Sequence, residues 1–229
     1  MKILAKETAI YGVSSIVGKF LNWMLVPLYT YVLQQQSDYG IVTNLYAWTA
    51  LLLVVLTYGM ETGFFRFANK EGVNPFKAFS TSLISVGGVA LIFIALCTVC
   101  LPWISEALGY ADHPEYIEMM AIVVAIDAFQ AILFAYLRYQ KRPIKFAALK
   151  LLFIFLNIGM NLFIFLLAPK MCEWCPSLMG WYNPSYQVGY IFVVNLICTS
   201  LITFGFLPEL KALRNGFDSK LMKEMWKYT

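Results

Sequence analysis

Charge is what this chain has least of. Only 13% of its 229 residues are Asp, Glu, Lys or Arg, about half the ~25% of an average soluble domain. Too few charges remain to cover a water-soluble globule. With 60% of the residues hydrophobic, the chain is not disordered, and coiled coil, collagen and secreted disulfide scaffolds are excluded with it. Histidine occurs once, at His113, so no histidine-based catalytic or metal constellation exists. Two of the cysteine spacings are CxxC pairs, Cys97/Cys100 and Cys172/Cys175. Four thiols are enough for zinc, but the pairs read more simply as small apolar residues with at most one local disulfide.

What is present in abundance is long apolar runs. A membrane-crossing helix needs ~20 mostly apolar residues, and six such segments are expected, at about 8–33, 39–66, 78–101, 117–138, 146–168 and 186–207. Turn and charge signals separate them, as at Asn69 to Pro75 and Gln140 to Pro143. The runs are continuous rather than alternating, which excludes a barrel. The first is no cleaved signal peptide: it is too long, holds Lys19 and Asn22, and ends without a small-residue cleavage site. With the N-terminus placed inside, every Lys and Arg except Lys19 and Lys170 falls on the inner side, as the positive-inside rule demands. The expected fold is therefore all-α: residues 1–208 as one six-span lobe with both ends cytoplasmic, then a basic amphipathic segment, 209–229, lying on the inner membrane surface.

Polar residues inside spans are expensive and mark candidate sites. Ser15, Lys19 and Asn22 share a face of the first helix, and Asp127, Gln130 and Arg138 share a face of the fourth. Tyr58 and Glu61 stand near the inner third of the second, with Arg66 at its end. Asn157 and Asn161, with Lys150 seven residues earlier, mark the fifth. Such stripes must face one another or a wet cavity. Plainer readings stand beside this one. Lys19 and Glu61, ~15 Å and ~10 Å above the inner ends of their helices, suit an interhelical ion pair. Arg66, Arg138 and the Lys141/Arg142/Lys145 cluster suit topology determinants, and Asn157 and Asn161 suit helix packing. Asp127 has no evident cation at its depth on a neighbouring stripe.

Gly12 to Phe20 imitates a phosphate loop but has five residues between its glycines instead of four, and Phe20 where a hydroxyl must hold magnesium. The inner loops carry Glu71 as their only acid, so the paired carboxylates of a magnesium-dependent transferase are missing. No enzyme activity, cofactor, metal or nucleic-acid partner is expected.

Tyr11 to Lys19, continuing to Val26-Pro27-Leu28-Tyr29-Thr30, resembles the first helix of the polysaccharide transporter family, the O-antigen flippase-like branch of the multidrug/oligosaccharidyl-lipid/polysaccharide exporter superfamily. Asp38-Tyr39-Gly40-Ile41-Val42 is similar to the opening of that family's second helix, and Tyr58 to Phe67 to its end. Arg138-Tyr139-Gln140-Lys141-Arg142-Pro143 resembles its loop between helices 4 and 5. The resemblance covers the chain as an N-terminal six-helix lobe, and departs from the family in lacking a second lobe, which a continuation or a partner would supply. It implies a flippase of the bacterial cytoplasmic membrane. The substrate would be an oligosaccharide on an undecaprenyl pyrophosphate anchor, moved between leaflets of membrane lipid by alternating access. In that setting Lys19, Asn22, Ser15, Arg66 and Arg138 are candidate substrate contacts, and Asp127 and Glu61 candidate ion-coupling residues. A cation antiporter of the same superfamily is the alternative, and a membrane-embedded enzyme of envelope synthesis a remoter one.

Overall fold

The computed structural model describes residues 12–13, 16–17, 25–33, 36–174, 180 and 182–228. No strand occurs among them. The helices are α1 (Leu25–Val32), α2 (Gln36–Thr57), α3 (Met60–Ala68), α4 (Pro75–Val99), α5 (Leu101–Leu108), α6 (Pro114–Tyr139), α7 (Pro143–Leu162), α8 (Ala168–Trp174), α9 (Gln187–Phe204), α10 (Leu207–Leu210) and α11 (Ser219–Trp226). Five stretches, 37–68, 75–99, 114–139, 143–172 and 187–204, are long and apolar enough to cross a bilayer. The chain is thus an all-α, multi-pass membrane protein. Half of the first expected span, including Ser15, Lys19 and Asn22, lies outside the described residues, as does Cys175.

Local chemistry sets the helix ends. Asn74 caps α4, its side chain accepting from the Phe76 N–H at 3.0 Å, with Pro75 in the first turn; that N–H has no partner within the helix. Helix α6 ends with Lys141 at φ 54. The Lys141 N–H bonds Arg138 O and the Arg142 N–H bonds Leu137 O, the reciprocal pair of a left-handed helix stop. Pro143 then starts α7. The second expected span is not one straight helix. Tyr58 (φ 34) and Gly59 (φ 71) break it between α2 and α3, and the Tyr58 hydroxyl is fixed 2.7 Å from Ser85 Oγ on α4.

Downstream, α7 and α8 are joined by a π-helical turn, Phe163–Leu167. Pro169 follows at once, and its ring would meet the carbonyl four residues back in a regular helix. The wider turn moves that carbonyl aside. The stretch expected as a loop after Pro102 contains α5, whose C-terminus stops at Gly109 with φ 77.

Helix α6 is the hub. Of its most apolar 18 residues 72% are buried, against 17% and 22% in the spans that contain α2 and α4. At the end of the bundle carrying Lys70 and Lys141, Phe64, Phe79, Ile132 and Tyr136 form one core cluster, with Phe79 and Tyr136 stacked at 3.8 Å. At the other end Tyr116, Ile191 and Phe192 form a second. Leu51, Val54, Leu91, Ile92 and Phe155 stay exposed on the outside, as a hydrocarbon environment requires.

The terminal helix departs from expectation. Leu221, Met222 and Met225 do not face outward to lipid; they are buried in the first core cluster. Each such burial is worth about 1.5–3 kcal/mol, and Lys70–Glu224 (3.1 Å) and Lys77–Asp218 (3.3 Å) flank it. Asp218 caps α11, accepting from the N–H groups of Lys220 and Leu221. The Leu221 N–H is the main cause that holds its carboxyl below the usual aspartate range.

Candidate functional site

A cavity of about 340 Å³ opens where α3, α6 and α7 converge. Glu61, Asp127, Gln130, Arg138 and Lys150 line it, with Phe134 and Phe153 among its apolar walls. Helical geometry explains the assembly: Asp127, Gln130 and Arg138 recur on one side of α6, and the break at Tyr58–Gly59 starts α3 so that Glu61, in its first turn, meets that side. Arg138 donates from Nη2 to Glu61 Oε1, so among the described residues Glu61 pairs with Arg138 on α6. Both side chains keep more than a third of their surface exposed. Arg138 Nε is buried without a hydrogen-bond partner among the described residues.

Lys150 sits with Nζ 4.2 Å above the Phe134 ring, a cation–π contact. It is also close enough to Asp127 for their charges to attract. The expectation that Asp127 lacks a cation at its depth is therefore corrected: α7 supplies one, because a lysine's four-carbon stem carries its charge well away from its own backbone position. Asp127 makes no hydrogen bond within the described residues. Gln130 is held instead by α9, donating to Thr199 O at 2.8 Å and Thr203 Oγ1 at 2.9 Å.

Asp127 and Phe153 also line a second cavity of about 440 Å³, between α1, α2, α7 and α9. Its chemistry differs. Tyr29, Tyr39, Tyr46, Asn157 and Asn195 supply neutral hydroxyl and amide groups. Tyr29 donates to Asn161 Oδ1 at 3.0 Å, and Asn161 donates in turn to Asn157 O at 2.8 Å. Asn161 thus ties α1 to α7, while Asn157 both packs and faces the cavity. The two cavities adjoin at Asp127, one charged and one neutral.

Of the sequence candidates, Glu61, Asp127 and Arg138 come together here. Arg66 does not: it is exposed, with Cζ 3.8 Å above the Tyr228 ring. Ser15, Lys19 and Asn22 lie outside the described residues. Sequence reading passed over Glu209, whose side chain keeps 2% of its exposure, bonded by Lys145 at 2.6 and 2.8 Å and reached by Arg142 at 3.5 Å. Two of the three residues of the Lys141/Arg142/Lys145 cluster thereby neutralise a buried carboxylate. Cys97, Cys100, Cys172 and Cys198 carry free thiols, and no three potential metal ligands cluster among the described residues. No family model, curated protein or solved structure matches this chain.

Proposed function

We propose that this chain forms one lobe of a bacterial inner-membrane exporter that flips a lipid-linked oligosaccharide by alternating access. In this reading it has six spans and both ends in the cytoplasm, and works against a second six-helix lobe. The observation that carries the reading is the pair of adjoining chambers. Arg138 Nε–H and Lys150, both without a hydrogen-bond partner among the described residues, offer cationic donors of the kind a pyrophosphate needs. The tyrosine and asparagine groups of the other chamber offer hydroxyl and amide partners of the kind a sugar needs. Such polar linings inside a membrane bundle mark substrate pathways. The motif resemblance in helices 1, 2 and 4 supports the same substrate, with Lys19 as a further cation.

Export in a flippase-deficient strain tests this, with the chain expressed together with its second lobe. Wild type restores surface polysaccharide. Lys150→Met, at equal abundance, lowers export about 10- to 100-fold, the worth of a charge-assisted hydrogen bond at 1.5–3 kcal/mol. Full export by Lys150→Met removes this lysine from the site, and failure of wild type to restore export removes the flippase reading. The antiporter reading draws on Asp127, a carboxylate without a hydrogen bond among the described residues, at the junction of both chambers. It requires cation efflux that Asp127→Asn abolishes.

A further inference from the structure

A third cavity has none of this polarity. It is a groove of about 480 Å³ on the outer side of the bundle between α4, α6 and α9. Gly87, Ala90 and Ala125 line it with little side-chain bulk, and Leu91 and Phe204 stand at its exposed edge. A β-carbon on Gly87 would come 3.3 Å from the Phe129 ring, so glycine is what lets these two helices shape it. Among the described residues the polar side chains lining it are the hydroxyls of Ser200 and Thr203, and Thr203 is engaged by Gln130 and Thr199.

One end of the groove is formed by Leu207 and Leu210. The chain continues there as a 3₁₀ turn, Lys211–Asn215. Lys211 directly follows Leu210, and Arg214, three residues on in the same 3₁₀ turn, shares its side of that turn. Both are exposed and form no ion pair within the described residues. The acids beside them in sequence are already engaged: Glu209 by Lys145, Asp218 by Lys77. An apolar groove thus leads to uncompensated positive charge at the end of a membrane bundle, the arrangement that suits an acyl chain with an anionic headgroup.

We infer that an anionic glycerophospholipid binds here, one acyl chain in the groove and its phosphate on Lys211 and Arg214. This does not depend on what the protein transports.

Native mass spectrometry of the purified, delipidated chain tests the site, using phosphatidylglycerol and phosphatidylcholine of identical acyl chains as probes. One phosphatidylglycerol is retained in preference to phosphatidylcholine. Lys211→Gln with Arg214→Gln weakens phosphatidylglycerol retention roughly 30-fold, from ~1 kcal/mol per basic residue, and leaves phosphatidylcholine unchanged. Ser200→Trp fills the groove and weakens both lipids, and Leu91→Trp, at an exposed edge position, does so without touching the core. Equal retention of the two lipids by wild type overturns the proposal, as does undiminished phosphatidylglycerol retention in the double variant. If Ser200→Trp and Leu91→Trp instead split a protein dimer and leave lipid retention intact, the groove is covered by protein and the proposal also fails.

Discussion

Arg138 holds Glu61 with one arm of its guanidinium while its Nε–H stays buried without a partner among the described residues. Breaking such a pair costs between the ~1 kcal/mol of an exposed bridge and the ~3–5 kcal/mol of a buried one, because the survivor is left charged in the bundle. Arg138→Met is therefore expected to lower protein abundance and melting temperature. Arg138→Met with Glu61→Met is expected to recover most of both, as melting of the purified variants will read out; a double variant no more stable than the single one rejects the pairing. Glu61, Asp127 and Arg138 were legible because an ionisable residue inside an apolar run stands out. Arg66 was expected as a substrate contact, but it follows Glu61 by five residues, which turn a helix by about 140° beyond a full circle and put it against Tyr228 on the far side. By sequence Lys150 falls on the polar stripe of the fifth helix, but its backbone position does not show how far its charge reaches toward Asp127.

At the scale of the element, the break at Tyr58–Gly59 matters most, since it sets α3 and with it Glu61. A β-carbon at Gly59, whose φ is 71, costs ~1–2 kcal/mol. Gly59→Ala should lower the melting temperature by about 2–8 °C for a chain of this size, and should halt export if α3 realigns with α2. An unchanged melting curve would show that the break is not intrinsic to this residue. The sequence did not reveal the break, because one glycine in an apolar helix is compatible with a continuous span. The positions of the long helices were legible from apolar runs and from Asn74-Pro75, Pro114 and Pro143. Helix α11 was legible as amphipathic, but amphipathicity alone does not say whether lipid or protein covers the apolar face. Here protein does, through Leu221, Met222 and Met225.

For the whole molecule, the positive-inside reading makes a prediction about sidedness. Single cysteines at Ser37 and Asp112 should react with an impermeant thiol reagent added outside cells, and those at Asn74 and Arg142 should not, in a background without reactive native cysteines. Outside labelling of Asn74 would overturn the six-span orientation. The hub position of α6 was not legible, since its composition differs little from that of its neighbours; burial is decided by which helices surround it. The charged chamber on that hub has one more consequence. Glu61, Asp127, Arg138 and Lys150 are two anions and two cations, so this set is electrically neutral. Moving one elementary charge through a membrane potential of 100 mV takes about 2.3 kcal/mol, but displacing a neutral set as a unit takes almost none. In the proposed alternating-access exporter, a resting voltage would then neither drive nor oppose the swing of these four residues. It would act on whatever net charge enters the chamber, so that the voltage dependence of turnover would report the charge of the cargo and its coupling ions.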